Sequence, residues 1–203
     1  MFPFDVILFD VGGVLLTNGW DHKERAAAVA QFNLDAQDLE ARHAMIYASW
    51  ERDQVDAKAY LDAAVFHQPR PFTREEFFAF MLSQSLELPD GALGILRTVA
   101  AADKCIVGAL NNEARETNEH RFEKFELRNY FEVAFSSCYL GVRKPEPAIY
   151  KRALDVLGRP AARVLFIDDR QVNVDGAAAA GIKAIRFRGA EALLGDLETL
   201  GVL

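Results

Sequence analysis

Basic residues are in short supply: 23 lysines and arginines face 30 aspartates and glutamates, a formal net charge of −7. That balance leaves no broad basic surface for a polyanion and argues against nucleic acid as a partner, while a local positive pocket could still take a small phosphorylated ligand. Cysteine is scarcer still. Cys105 and Cys138 stand in the apolar runs Lys104-Cys105-Ile106-Val107 and Ser137-Cys138-Tyr139-Leu140, which read as buried strands carrying reduced, structural thiols. No stretch approaches the roughly 20 apolar residues of a membrane span, and acidic Asp5 lies where a signal peptide carries positive charge. The expected location is therefore the cytoplasm, without a membrane partner. Internal repeats and low-complexity segments are absent too, Ala177 to Ala180 being simply good helix.

What the chain does have is apolar content, 51% of 203 residues, enough to bury one core, with or without a modest insertion. Val6-Ile7-Leu8-Phe9 is a continuous apolar run that stops at Asp10 and then Gly12-Gly13, as a strand buried on both faces stops at a turn. The pattern recurs where Cys105 to Leu110 ends at Asn111-Asn112 and where Val164 to Ile167 ends at Asp168-Asp169. Helical patterning follows over Pro89 to Ala101, Pro147 to Leu157 and Val172 to Ala180, and Lys183 to Phe187 reads as one more strand. Strands alternating with helices predict an α/β fold, a Rossmann-like parallel sheet with right-handed crossovers. In such sheets ligands bind beyond the carboxyl ends of the strands, where Asp10, Asn111 and Asp168-Asp169 fall.

Asp21 to Leu86 breaks the alternation, with several amphipathic helical patterns and no convincing strand. Residues 1–18 and 87–203 are thus expected to form the core, and 19–86 a small helical domain inserted after the first strand. Thr73 and Glu76 have the spacing of a helix capping box within it.

Taken in order, Asp10-Val11-Gly12-Gly13-Val14-Leu15, Leu110-Asn111-Asn112, Gly141-Val142-Arg143-Lys144-Pro145-Glu146-Pro147 and Phe166-Ile167-Asp168-Asp169-Arg170-Gln171-Val172-Asn173 resemble the four motifs of haloacid dehalogenase-like hydrolases, in the subfamily whose helical cap follows the first motif. The resemblance implies a Mg²⁺-dependent phosphatase acting on a small phosphorylated metabolite through an aspartyl-phosphate. Asp10 would be the nucleophile and Lys144 the cation that draws nucleophile and phosphoryl group together. Asp10, Asp169, Asp168 and the main-chain carbonyl of Gly12 would serve the metal, a hard cation that takes oxygen ligands. Asn111, Asn112 and Lys144 would hold the phosphoryl oxygens, and Asn173 would tie the last motif to the helix after it.

Two positions depart from the pattern. Asn111 stands where the family usually has Ser or Thr, and Gly12 stands where most of its phosphatases carry a second aspartate as general acid and base. Losing that help is worth about 10²–10⁴ in rate, most with poor leaving groups. Asp21, His22, Glu24 and Glu113 are the substitutes the sequence offers. Mutase activity, which needs an acid-base in both directions, and dehalogenation, which wants no acidic metal site, are disfavoured. A catalytically silent relative that binds a phosphorylated ligand or a protein partner is the competing reading, since it accounts for both departures. A receiver-like domain ranks last, because such folds run to about 120 residues with no helical insertion. Trp20, His43, Tyr47 and Trp50 are candidates to line the inner face of the cap, although aromatics at helical spacing are more often core. The apolar stretch Ala57 to Phe66 would permit a homodimer.

Overall fold

The computed structural model describes residues 2–203. Five parallel strands, β1 (Val6–Phe9), β2 (Ile106–Asn111), β3 (Val133–Ser136), β4 (Val164–Asp168) and β5 (Lys183–Arg186), form one sheet in the order β3-β2-β1-β4-β5. β1 is central, pairing Val6 with Ile106 on one side and with Val164 on the other. The chain winds outward from β1 in both directions, so a crevice opens above the carboxyl ends of β1 and β4.

Alternation along the strands supplies two cores. Ile7 and Phe9 face one side with Val107, Ala109, Leu165 and Ile167, covered by α5 (Leu93–Ala101) and α10 (Ala190–Thr199). Val6 and Leu8 face the other with Leu110, Val164 and Phe166, covered by α8 (Pro147–Leu157) and α9 (Gln171–Ala179). All four β1 side chains are fully buried; truncating Leu8 to alanine would cost about 2–5 kcal/mol.

Between β1 and β2 the chain forms α1 (His22–Phe32), α2 (Ala36–Trp50), α3 (Ala57–Ala64) and α4 (Arg74–Ser83) before α5. Asp21 and Glu24 cap α1 reciprocally, as Thr73 and Glu76 cap α4, which fixes where these helices start. The four pack around an apolar cluster of their own that includes Leu39, Trp50, Tyr60, Leu61, Phe77 and Met81. Tyr60, Leu61, Ala64 and Val65 are consumed in that cluster, so the apolar stretch from Ala57 to Phe66 does not present the free face on which the homodimer expectation rested.

Other local expectations need correcting. Ser137 to Leu140 is not a strand but a one-turn helix, α7, ended by Gly141 at φ +69°, a conformation glycine adopts without penalty. The strand in that region is β3, just before it. Cys105 precedes β2 rather than lying in it and is only half-buried, whereas Cys138 is buried; both are free thiols. Pro89 to Ala92 makes a turn instead of opening α5, because the Leu88 and Ala92 amides bond back to the carbonyls of Leu15 and Val14. No helix among the described residues is long and apolar enough to cross a membrane.

Candidate active site

Asp10 leaves β1 at its carboxyl end and is almost fully buried. Its Oδ1 accepts from the Val11 amide at 2.8 Å and lies 2.9 Å from Lys144 Nζ. Lys144, in the loop between α7 and α8, also donates to Asp168 Oδ2 at 2.6 Å, so one ammonium bridges the ends of β1 and β4. The loop is clamped by Asn112, which donates to the Lys144 carbonyl at 2.9 Å and accepts from its amide at 2.8 Å.

Asp168 is completely buried and saturated: the Arg170 amide, the Asn173 amide group and Lys144 share its two oxygens. Asp169 differs. Its Oδ1 is buried without a hydrogen-bond partner, an orphaned acceptor of the kind that costs about 1–3 kcal/mol unless something occupies it. Carboxylate oxygens of Asp10, Asp168 and Asp169 all lie within 4.8 Å of one another. Gly13, at φ +76°, passes so close that a Cβ there would sit 2.6 Å from Asp169 Cγ and closer still to its Oδ2.

Electrostatics follow from this crowding. Burial pushes the Asp10 carboxyl well above its usual range, with Asp168 and Asp169 adding to the push and Lys144 opposing it. Asp169 is raised by burial and by Asp168. Burial works against the Lys144 ammonium, but Asp10 and Asp168 outweigh it and raise its pKa. Burial likewise works against Asp168, but the charge and hydrogen bond of Lys144 hold it low. Three carboxyls around one ammonium leave an excess of negative charge beside an orphaned oxygen. That donor set, hard and anionic, fits Mg²⁺.

A cavity of about 340 Å³ opens above these groups and is roofed by the helical insertion. Asp10, Gly12, Asn112, Lys144 and Asp169 line it. Asn111 stays behind it: its side chain donates to Asn118 and accepts from Ser136, and Asn112 takes the lining position instead. Of the proposed substitute acids, His22 points to solvent, Glu24 is spent on the α1 cap, and Asp21 lines the cavity while capping the same helix. Glu113 is held by Arg121 and by the Thr117 hydroxyl. Trp20, His43, Tyr47 and Trp50 do line the cavity, although Trp20 and Trp50 also belong to the insertion's core. They are organised by Tyr60, whose hydroxyl accepts a hydrogen bond from Trp20 Nε1 at 2.6 Å and sits 2.9 Å from His43 Nδ1. Burial lowers the His43 pKa to about 4, so its ring is neutral at pH 7.

Sequence reasoning gave no role to several lining residues, among them Arg25, Glu51, Arg121 and Arg143. Arg143 stands beside Lys144 in the third motif, but no local motif marks Arg25, Glu51 or Arg121, which helix packing and ion pairing bring to the cavity. Arg121, on α6 (Arg115–Lys124), is 1% exposed and binds Glu113 and the Thr17 carbonyl beside Gly12.

Residues 4–181 match the haloacid dehalogenase-like hydrolase family. Flavin mononucleotide hydrolase 1 of Arabidopsis thaliana, a chloroplast protein, is 33% identical over 164 residues, 81% of this chain and 65% of the plant protein. This chain thus spans less than two thirds of that relative's length. The fold resembles a HAD family enzyme of Bacteroides thetaiotaomicron solved with magnesium and inorganic phosphate, at TM-score 0.74 and 20% identity over 92% of this chain and 95% of that one. It also resembles L-2-haloacid dehalogenase of Xanthobacter autotrophicus, at TM-score 0.63 and 21% identity over 97% and 83%.

Proposed function

The chain belongs to the haloacid dehalogenase-like hydrolases, and from that premise we propose that it is a Mg²⁺-dependent phosphatase of small phosphorylated metabolites, working through an aspartyl-phosphate on Asp10. The observation that carries this reading is the single buried ammonium shared by Asp10, at 2.9 Å, and Asp168, at 2.6 Å, beneath a cavity roofed by the helical insertion. A nucleophilic carboxylate and a phosphate ester repel each other, and a cation fixed between them removes that barrier at the moment charge builds.

In this reading Asp10 attacks phosphorus, Lys144 neutralises the oxygens that crowd together, and Asn112 keeps Lys144 in place by gripping its backbone from both sides. Asp168 orients Lys144. Asp10, Asp169 and the Gly12 carbonyl would hold Mg²⁺, with Asp168 completing the acidic pocket; bound there, the metal would polarise the phosphoryl group and offset the surplus negative charge. Residues 19–86 act as the lid. A roofed cavity of about 340 Å³ suits a small leaving group and excludes a phosphoprotein, and closure expels the water that would screen Lys144.

The test is turnover of para-nitrophenyl phosphate and a panel of phosphorylated metabolites with Mg²⁺. Flavin mononucleotide belongs in the panel because the plant relative is named for hydrolysing it. Activity that vanishes both in Asp10→Asn and on chelation is the expected result. A protein that turns over nothing, yet melts higher with Mg²⁺ and a phosphate analogue, would instead be a silent ligand-binding relative.

A further inference from the structure

A phosphate ester of a simple alcohol leaves badly unless its oxygen is protonated as the P–O bond breaks, and position 12 supplies no acid. The flank of Gly12 is occupied by Asn18, with Oδ1 3.2 Å from where a Cβ would stand, and by Arg121, with Nη1 at 3.5 Å. An amide and a guanidinium give up no proton near neutral pH. The donor must therefore come from elsewhere on the cavity wall.

Apart from Asp10 and Asp169, which the proposed nucleophile and metal site already use, the carboxyl and imidazole groups there can be sorted by what already holds them. Glu40 is bound at both oxygens by Arg25, at 2.7 Å each, and this pairing lowers its pKa. Asp21 takes the first amides of α1, Glu113 is fixed by Arg121 and Thr117, and His43 has lost its proton at neutral pH. Glu51 remains. It follows the last residue of α2, its side chain is 22% exposed, and its Oε2 forms an ion pair with Arg143 Nε that falls outside hydrogen-bond geometry, so a cation holds one of its oxygens where Arg25 holds both of Glu40's. Arg143 adjoins Lys144 in sequence, and Glu51 lines the same cavity as Asp10 and Lys144.

The placement is fixed by a dense set of links across the join. Arg52 pairs with Glu146, Asp53 with Arg115 at 2.7 Å, and Glu116 accepts both from Trp50 Nε1 at 3.1 Å and from the Ala57 amide at 2.7 Å. Four consecutive residues, 50 to 53, are thus each tied to the core.

We propose that Glu51 is the proton donor and acceptor of this active site, delivered by the insertion to the work that no side chain at position 12 can do. The inference rests on Asp10 being the nucleophile. In the first step Asp10 forms a bond to phosphorus while the ester P–O bond breaks, and the Glu51 carboxyl gives its proton to the departing oxygen, releasing the alcohol. In the second, the Glu51 carboxylate takes a proton from water as the water oxygen bonds to phosphorus and the P–O bond to Asp10 breaks. Both carboxyl groups are restored, and one phosphate ester and one water have become an alcohol and inorganic phosphate. The local charges suit the role. Burial raises the Glu51 pKa to about 7, with Glu113 adding to the rise while Arg143 and Arg170 restrain it; Tyr60, whose own pKa burial raises, stays neutral beside it. An acid that titrates near the working pH can both give and take a proton.

Glu51→Gln, compared with wild type in single-turnover measurements on an alkyl phosphate and on para-nitrophenyl phosphate, tests the assignment. Phosphoryl transfer to Asp10 should slow by about 10²–10⁴-fold with the alkyl ester and by under ~10-fold with the aryl ester, whose leaving group needs no acid. The aryl ester should also give a burst of one nitrophenolate per enzyme, because the second step has lost its base. The basic limb of the alkyl-ester pH profile should disappear. Equal slowing with both esters and a raised KM would reduce Glu51 to a structural tie and overturn the proposal, as would an unchanged pH profile. If wild type turns over neither ester and matches Asp10→Asn, the hydrolase reading itself fails, and this inference falls with it.

Discussion

Gly12 and Gly13 are chemically identical neighbours with opposite expected sensitivities, and the contrast probes the acidic site directly. Gly13 sits at φ +76°, where an L side chain costs about 1–2 kcal/mol. Its added Cβ would meet Asp169 Cγ at 2.6 Å, about 1 Å inside the ~3.5–4.0 Å at which two carbons settle. Since Asp169 is on the loop between β4 and α9 and its Oδ1 has no hydrogen bond to lose, the carboxylate is the group that yields. Gly13→Ala should therefore lower Tm by about 2–8 °C, at 2–4 °C per kcal/mol for a chain of this size. A displacement of about 1 Å at a reacting centre should also cut kcat/KM by about 10²-fold. The Mg²⁺-induced rise in Tm should shrink by about 1.4 kcal/mol equivalent for every tenfold loss of affinity. Gly12 has no positive φ, and its Cβ would need only a small shift of the Asn18 amide at 3.2 Å. Gly12→Ala should stay within about 1 kcal/mol of wild type in both stability and Mg²⁺ response. Melting curves with and without Mg²⁺, together with steady-state kinetics, read both variants. A Gly13→Ala protein that responds to Mg²⁺ and turns over like wild type would refute the placement of Asp169.

Three further outcomes are expected. Lys144→Met leaves the buried Asp10 and Asp168 carboxylates facing each other without their cation, so chemical denaturation should show a loss of about 3–5 kcal/mol and turnover should fall at least about 10²–10³-fold. Arg121→Met strands Glu113 and the Thr17 carbonyl and should cost a similar ~3–5 kcal/mol, seen as a Tm about 10 °C lower. Glu51 titrates at about 7 in the folded protein against ~4.3 in an unfolded chain. Because its folded pKa is raised, the stability it contributes is complete below pH ~4.3 and is lost as pH climbs through 7. Wild type should thus lose up to about 3 kcal/mol relative to Glu51→Gln between pH 4 and pH 8, and parallel pH-stability curves would contradict this.

Legibility tracked how local the cause of each feature is. β1, β2, β4 and β5 could be read because buried strands write continuous apolar runs that end on Asp10, Asn111-Asn112 and Asp168-Asp169. β3 could not: Val133 and Ala134 are only half-buried at the sheet edge, and the run that followed, Ser137 to Leu140, looked more strand-like than β3 did. The reversal was decided by Gly141, whose left-handed conformation closes a helical turn. Asp10, Lys144 and Asp169 announced themselves by their flanking residues. Asn111 shared that signal but turned inward, because Asn118 and Ser136, brought together only by folding, satisfy its amide. Glu51 and Arg143 lie 92 positions apart and meet across the join, which no spacing rule along the chain can show.

The central place of β1 has a consequence for biosynthesis. Its neighbours are β2, starting at Ile106, and β4, starting at Val164, so β1 leaves the ribosome well before either strand that brackets it. Until then Val6, Ile7, Leu8 and Phe9, four apolar residues in a row, have no sheet to enter, while the helices of residues 22–83 can gather around their own apolar cluster. A nascent chain halted before Val164 would expose one edge of that strand, and it is at this length that chaperone engagement should peak.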